Sequence, residues 1–129
     1  MRFKKLTVSL DSLDIQKSWG FYEGLGFQKT GQDTDDLEKI VWMEIEKDGI
    51  NLMLYQLDRN AEFSEFSTKD PRQLVLYIEM EHVVPYYHSL KDRGYPVEEP
   101  SVTHYGAIEC YLKCPDGHQL TFAEFKREL

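Results

Sequence analysis

Residues 40–56 read IVWMEIEKDGINLMLYQ, two mainly apolar segments separated by Asp48-Gly49. Asp-Gly between alternating hydrophobic residues is the strongest short-range signal for a two-residue β-hairpin turn, because both turn positions need a positive φ. The stretch therefore predicts a strand at 40–46, a tight turn, and a second strand at 50–56.

The length of this turn also determines which side chains share a face of the hairpin. With a two-residue turn, Glu44 lies opposite Met53. Trp42 then lies opposite Tyr55, and because side chains alternate between faces, all four share one side. The other side is apolar and should pack under a helix; it holds Val41, Met43, Ile45, Leu52 and Leu54.

The same pattern returns 68 residues later without a gap. The matched positions are Gly26 with Gly94, Phe27 with Tyr95, Asp48-Gly49 with Asp116-Gly117, and Leu52 with Leu120. A repeat of this length indicates two copies of one supersecondary unit, with any site between them. We therefore predict a single domain covering 1–129. Its parts are module one at about 1–56, a charged linker at 57–72, and module two at about 73–127.

Each copy has the order strand, helix and three further strands. In the first copy, the patterns preceding the hairpin are a strand at 4–10, a helix between Asp14 and Gly26, a short strand at 27–30 and a polar loop at 31–38. In the second copy, the patterns are strands at 74–80, near 95–97, at 107–113 and at 119–124, with a helix at about 82–93 and a turn at 115–117. The predicted fold class is α+β, with two tandem βαβββ modules forming a curved mixed sheet around a cleft and a helix on the outer face of each module.

Composition narrows the range of partners and compartments. The chain has 23 acidic and 15 basic residues and a formal net charge of −8, which disfavours nucleic acid and anionic membranes as partners. No apolar run approaches the roughly 20 residues of a membrane span, and the N-terminus lacks a signal-peptide core, so we expect a cytoplasmic protein. Cys110 and Cys114 would lie about 13 Å apart on one strand, too far for a disulfide, which predicts free thiols.

Three stretches resemble segments of a known family. They are SWGFYEGLGF at 18–27, the strand and helix within 76–94, and YGAIECYLKCPDGH at 105–118. Their order and spacing resemble the vicinal oxygen chelate superfamily, in particular its glyoxalase and bleomycin-resistance branch. The resemblance implies two paired βαβββ modules around a cleft, and it favours a homodimer.

The resemblance also implies where a metal would bind. Enzymes of the family hold a divalent ion through residues on strands one and four of each module. The corresponding residues of this chain are Thr7, Met53, Val75 and Thr121. Metal sites need imidazole, carboxylate or thiolate groups, so this set is unsuited to the family's metal chemistry. We therefore expect no metal and no other cofactor, and we assign no catalytic residue.

The side of each sheet away from its helix is the expected ligand lining. In module two, Ile108, Cys110 and Leu112 read as core, which turns Glu109 and Tyr111 toward the cleft, as the resemblance also implies. The turn at 115–117 leaves room for a bulge, so the turn alone does not decide which face Glu109 and Tyr111 occupy. The complete predicted lining is Thr7, Ser9, Trp42, Glu44, Met53, Tyr55, Tyr77, Glu109, Tyr111 and Thr121.

Aromatic rings beside carboxylates suit a planar or cationic organic molecule. The sequence thus predicts a metal-independent small-molecule-binding protein, resembling bleomycin-resistance proteins, that sequesters or senses an aromatic or cationic ligand. One alternative is a glyoxalase- or dioxygenase-like lyase or isomerase whose metal is held by displaced ligands such as Glu44, Glu109 and His104. Another is an interaction module in which the aromatic side chains fill a closed interface.

Overall fold

The structure, a computed structural model, describes residues 1–57 and 74–126. The chain divides into two compact units, which we call unit one (described residues 1–57) and unit two (described residues 74–126). The predicted linker at 57–72 lies outside the described residues except for Leu57. That the two units form a single domain stays a prediction.

Unit one is a four-stranded mixed sheet with one helix. Its elements are β1 (Thr7–Ser12), α1 (Ile15–Gly24), β2 (Gln28–Thr34), β3 (Ile40–Lys47) and β4 (Ile50–Gln56). The strand order is β1-β4-β3-β2. β1 runs parallel to β4, whereas the β2–β3 and β3–β4 pairs are antiparallel.

Unit two repeats this architecture. Its elements are β5 (Val75–Glu79), α2 (Val83–Asp92), β6 (Ser101–Val102), β7 (Ala107–Lys113) and β8 (Gln119–Phe125), and the strand order is β5-β8-β7-β6. Two mixed sheets with one helix each confirm the α+β class and the βαβββ order of both modules. Each unit has a sheet of its own.

Two boundaries in unit one differ from the prediction. β1 begins at Thr7 rather than at residue 4, and Leu6 before it is 80% exposed. β2 continues to Thr34, so part of the predicted loop at 31–38 is strand. β2 lies at the edge of its sheet and most of its side chains are exposed. It therefore pairs through its backbone and has no apolar alternation for the sequence to reveal.

The predicted short strand at 95–97 is wrong, since the strand that pairs with β7 is β6 at Ser101–Val102. The amide of Tyr95 instead donates to the carbonyl of Leu90 at 3.0 Å, at the end of α2. Pro96 has no amide hydrogen to give to a strand ladder. Tyr95 therefore closes the C-terminus of α2.

The β3–β4 hairpin has the predicted register. Glu44 faces Met53, and Trp42 faces Tyr55. Asp48 and Gly49 both have positive φ, of 50° and 83°, as a two-residue turn requires. The opposite side of the hairpin is core: Met43, Ile45, Leu52 and Leu54 are 0–2% exposed.

The β7–β8 hairpin has a different register, which the gapless repeat did not predict. Tyr111 faces Thr121, and Thr121 follows Met53 by 68 residues. Because Glu44 faces Met53 in unit one, Tyr111 occupies the place of Glu44 at a spacing of 67. The repeat therefore holds for β4 and β8 but is one residue shorter for β3 and β7.

An additional residue in the second turn produces this shift. The amide of Cys114 donates to the carbonyl of His118 at 2.9 Å, and the amide of Gly117 donates to the carbonyl of Cys114 at 3.0 Å. Gly117 has a φ of 88°, typical of the glycine in a bulged turn. The shift turns Glu109 and Tyr111 away from the helix and leaves Cys110 in the core, 0% exposed.

Both helices begin with the same tertiary cap. The amide of Ile15 donates to Gln56 Oε1 at 2.8 Å, and the amide of Val83 donates to Glu124 Oε1 at 3.1 Å. The two donors are 68 residues apart, as are the two acceptors, so the repeat preserves a bond that satisfies a free helix-start amide. Asp14 also caps α1, as predicted. Within the described residues, no helix is long and apolar enough to cross a membrane.

The two cysteines are free, as predicted, and both are buried. Burial raises the pKa of the Cys110 thiol to about 11, so the thiol is protonated at neutral pH. Cys110 is therefore a small core side chain rather than a nucleophile.

Candidate functional site

The side of each sheet opposite its helix is called its helix-free face. In unit two, Phe122 marks the helix side, since its ring contacts Tyr86 of α2 at a centroid distance of 5.0 Å. Side chains one position away on β8 point to the other side. By register, the helix-free face of unit two holds Val75, Tyr77, Glu109, Tyr111, Thr121, Ala123 and Phe125.

Glu109 accepts hydrogen bonds from Tyr77 and Tyr111 on this face and from Tyr105 in the loop before β7. The hydroxyls of Tyr77 and Tyr105 both donate to Oε2, the former at 2.5 Å. The hydroxyl of Tyr111 donates to Oε1 at 2.7 Å. Glu109 is only 3% exposed, and a buried carboxylate is tolerated when hydrogen bonds satisfy it. We call Glu109 and these three tyrosines the tyrosine–glutamate cluster.

Burial and hydrogen bonding act on Glu109 in opposite directions. Burial alone would raise the pKa of its carboxyl, but the hydrogen bonds from Tyr105, Tyr77 and Tyr111 bring the pKa below its ordinary value. The same bonds raise the pKa of each of the three phenols, because an ionised phenol would face the carboxylate. At neutral pH the cluster therefore holds one negative charge and three neutral phenols.

Three aromatic rings meet the solvent beside this charge. Tyr77 is 47% exposed and Tyr105 is 51% exposed. The ring of Phe125 lies 6.4 Å from that of Tyr77 and 6.3 Å from that of Tyr105, measured between centroids. The helix-free face of unit two thus combines an accessible aromatic surface with a buried carboxylate.

The helix-free face of unit one holds its carboxylate differently. Glu44 accepts a hydrogen bond from the hydroxyl of Thr30 at 3.1 Å and forms an ion pair with Lys5 at 3.6 Å. Both charged side chains are partly exposed, so water screens this pair. The indole of Trp42 covers Gly31 of β2: a Cβ at Gly31 would lie 3.5 Å from Cζ3 of the ring.

The predicted lining residues fall into two local groups. Tyr77, Glu109 and Tyr111 are joined by hydrogen bonds. Trp42, Glu44, Met53 and Tyr55 are neighbours across β3 and β4. In exposure, Glu109 and Thr121 are buried, Thr7, Trp42, Glu44, Met53 and Tyr111 are intermediate, and Ser9, Tyr55 and Tyr77 are exposed.

A surface hollow of about 1020 Å³ in unit one lies away from most of these residues. It is bordered by the start of α1, the β2–β3 connection and the end of β4, and Tyr55 is the predicted lining residue on its border. Two of its three carboxylates are engaged locally, since Asp14 caps α1 and Asp35 accepts from the amides of Leu37 and Lys39. We therefore centre the candidate site on the helix-free faces.

The residues at the family's metal positions do not fit a metal ion. In unit one they supply the hydroxyl of Thr7 and the thioether of Met53. In unit two they supply the alkyl side chain of Val75 and the hydroxyl of Thr121, which accepts from Gln119 Nε2 at 3.1 Å. This donor set does not suit zinc or related divalent ions.

The displaced ligand set has other partners. Glu44 and Glu109 lie in different units and bond to the side chains described above, and the ring of His104 contacts that of Tyr105 at 5.1 Å. Across residues 1–57 and 74–126, no group of three or more His, Cys, Asp or Glu side chains could hold a metal ion.

Sequence reasoning missed Tyr105 and Phe125 as members of the site. Phe125 lies four residues after Thr121 and therefore shares its face, a signal that was lost because the predicted strand ended at 124. Tyr105 precedes Gly106, whose φ is 87°, and reaches Glu109 from the loop before β7. No periodicity in the sequence could have placed a loop side chain in this way.

The model of the glyoxalase/bleomycin resistance protein/dioxygenase superfamily matches residues 9–122. Comparison with curated proteins gave no match.

Three solved structures illustrate the similarity. A bleomycin resistance determinant encoded on the transposon Tn5 is 20% identical, with a TM-score of 0.70 and coverage of 97% of this chain and 100% of that chain. A bleomycin-binding protein complexed with bleomycin is 20% identical, with a TM-score of 0.68 and coverage of 96% and 100%. A lactoylglutathione lyase from Agrobacterium tumefaciens is 15% identical, with a TM-score of 0.71 and coverage of 96% and 95%. At these identities the likeness shows a shared fold.

Proposed function

Because the chain belongs to the glyoxalase/bleomycin resistance protein/dioxygenase superfamily, we propose that it is a small-molecule-binding protein that works without a metal ion. The observation that carries this proposal is the contrast, on the helix-free faces themselves, between the four metal positions and the residues around them. The metal positions hold hydroxyl, thioether and alkyl side chains, whereas the residues around them include aromatic rings and carboxylates.

The proposed ligand is an aromatic or cationic organic molecule. Exposed rings such as those of Tyr55 and Tyr77 offer flat apolar contact, and ligand sites typically combine such surfaces with a few polar groups. The proposed mechanism is sequestration or sensing, in which binding makes and breaks no covalent bond. A structural relative solved with bleomycin supports the proposal of a small-molecule ligand, because that protein has the same fold and binds bleomycin.

We further propose a cytoplasmic homodimer. β1 and β2 lie at the two edges of the unit-one sheet, and such edges are commonly covered by a partner. The net charge of −8 disfavours polyanionic partners, which supports the absence of nucleic-acid or membrane binding.

Metal analysis combined with a thermal-shift screen tests the function. We expect purified protein to contain metal well below stoichiometry. Ligands that raise the melting temperature should do so equally with and without a chelator. At a hundredfold excess over Kd, a ligand stabilises the folded state by about 2.7 kcal/mol, which is readily detected. Near-stoichiometric zinc, nickel, manganese or iron whose removal abolishes ligand binding would contradict the proposal and favour a glyoxalase- or dioxygenase-like enzyme.

A further inference from the structure

The tyrosine–glutamate cluster commits all of its phenol hydrogens to one carboxylate. Each tyrosine has a single O–H donor, and those of Tyr77, Tyr105 and Tyr111 all point at Glu109. What the cluster offers to a ligand is therefore phenol oxygens that can only accept, together with ring faces. An anion finds no hydrogen-bond donor among these groups, whereas a cation finds both acceptors and electron-rich rings.

The buried negative charge of Glu109 strengthens this preference for a cation. Glu109 is 3% exposed, while the rings of Tyr77 and Tyr105 are about half exposed, so a ligand contacts rings before it contacts the carboxylate. A carboxylate withdrawn from water is screened less than one at the surface, and its attraction for a cation near the rings is correspondingly stronger. Phe125 extends the ring surface next to both tyrosines.

We propose that Tyr77, Tyr105 and Phe125 form a recognition site for the ammonium group of an organic cation, with Glu109 as its fixed counter-charge. This inference rests on the proposed function and narrows its ligand class from aromatic or cationic molecules to organic cations. An alkylated ammonium suits the site best, because its alkyl groups pack against ring faces. It is also weakly hydrated, so it loses few hydrogen bonds to water when it binds.

The corresponding face of unit one is less suited to a cation. Glu44 occupies the helix-free face of unit one, but Lys5 lies 3.6 Å from its carboxylate and offsets its charge. Glu44 is also partly exposed rather than buried beneath rings. A cation should therefore prefer the cluster in unit two.

The test compares choline with 3,3-dimethyl-1-butanol, a neutral molecule of the same shape, by NMR titration of chelator-treated protein at neutral pH. Choline should give saturable shifts of the Tyr77 and Tyr105 ring signals. The neutral isostere should bind about tenfold more weakly, because it lacks the charge. Equal binding of the two molecules, or no saturable shift with choline, would overturn the inference.

Matched variants assign the effect to the cluster. Glu109→Gln keeps the shape of the side chain and should weaken choline binding about tenfold, whereas Glu23→Gln, the same change on the exposed surface of α1, should alter it less than about twofold. Should Glu109→Gln lose its native near-ultraviolet circular dichroism, Tyr77→Leu replaces it as the test variant. Removing a half-exposed ring should likewise weaken choline binding severalfold, and unchanged binding in the folded test variant would contradict the site.

Failure of this inference is distinguishable from failure of the proposed function. An uncharged aromatic compound that stabilises chelator-treated protein, without any effect of choline, would leave the proposed function standing and end the ammonium site. Conversely, choline binding that depends on Glu109, in a protein that needs a stoichiometric metal to bind its other ligands, would support the ammonium site and contradict the proposed function.

Discussion

The two helix-free faces occupy the same place in two copies of one βαβββ unit, yet they hold negative charge in different ways. In unit one, Glu44 is partly exposed and is paired with Lys5 at the surface. In unit two, Glu109 is buried and is held by three phenols. In unit one, water screens the ion pair and can replace either partner. In unit two, the carboxylate is held in place by its hydrogen bonds and stays ionised.

A single residue in a turn accounts for much of this difference. The β3–β4 turn has two residues, and the bulged turn between β7 and β8 adds one to the connection. A one-residue change in register exchanges the faces of a strand, so Glu109 and Tyr111 reach the side that Trp42 and Glu44 occupy in unit one. Duplicated units can therefore diverge in chemistry without altering their cores.

The largest expected difference between the faces concerns the loss of each carboxylate. Glu109→Ala leaves three tyrosine hydroxyls without their acceptor and should lower the free energy of unfolding by about 2–3 kcal/mol. Glu44→Ala removes a screened ion pair and should cost less than about 1 kcal/mol. Urea denaturation followed by circular dichroism measures both. Equal losses would mean that the hydrogen bonds of the cluster stabilise the fold no more than an exposed ion pair does.

The two tertiary helix caps should differ next. Gln56 accepts from the amide of Ile15 and also donates to the carbonyls of Leu13 and Leu57, each at 2.9 Å, whereas Glu124 caps the amide of Val83. Gln56→Leu should therefore cost about 2 kcal/mol of unfolding free energy and Glu124→Leu about 1 kcal/mol.

The control for the caps is Glu124→Gln, which keeps an acceptor oxygen in place and should remain within about 0.5 kcal/mol of the original protein in the same urea experiment. A loss as large as that of Glu124→Leu would show that the charge of Glu124, rather than its hydrogen bond, stabilises α2.

The glycines after the two helices give a smaller contrast. Gly26 and Gly94 have φ angles of 106° and 85°, so alanine is strained at both positions. A Cβ at Gly26 would also lie 3.1 Å from Lys47 Nζ, whereas a Cβ at Gly94 would meet nothing within 4 Å. Gly26→Ala should cost about 1–2 kcal/mol and Gly94→Ala about 1 kcal/mol, measured as shifts in the urea midpoint. Equal losses would indicate that Lys47 moves aside freely.

The smallest expected effect is a change in proton affinity. Tyr105→Phe removes one hydrogen bond to the Glu109 carboxylate, so the pKa of Glu109 should rise as burial becomes less opposed. Because the folded-state pKa is lowered, ionised Glu109 contributes stability above its ordinary pKa and loses it as pH falls through the lowered value. The variant should lose this contribution at a higher pH. Carbon-13 NMR titration of the carboxyl measures the pKa, and Tyr55→Phe in unit one should leave it unchanged.

Much of the fold was predictable because local chemistry decides it. Asp48-Gly49 requires a tight turn, and the turn together with the apolar alternation on either side of it is enough to set the register of Trp42 and Glu44. The edges of the sheets were less predictable. β2 pairs through its backbone with polar, exposed side chains, and the short β6 begins four residues after the predicted strand ends, so neither carries a pattern that the sequence can show.

The site was predictable only in part. Alternation identified Tyr77, Glu109 and Tyr111 as members of one face, and the register places them there. Their hydrogen bonds to one another, and the arrival of Tyr105 from a loop, depend on side-chain positions that no periodicity encodes. The ligand-binding role of this face stays a proposal.

The order of patterns along the chain was enough to determine the α+β class, the doubled βαβββ unit and the free thiols, since each follows from turn chemistry, alternation and spacing. The resemblance of three stretches was enough to indicate the family. The tertiary structure alone decided that β7 is offset by one residue from its counterpart and that Glu109 is satisfied by three phenols. The offset depends on the backbone geometry of the bulged turn, and the cluster depends on side-chain positions that bring Tyr77 of β5 and Tyr105 of a loop to Glu109. The energies that select both arrangements come from packing and hydrogen bonds that exist only after folding.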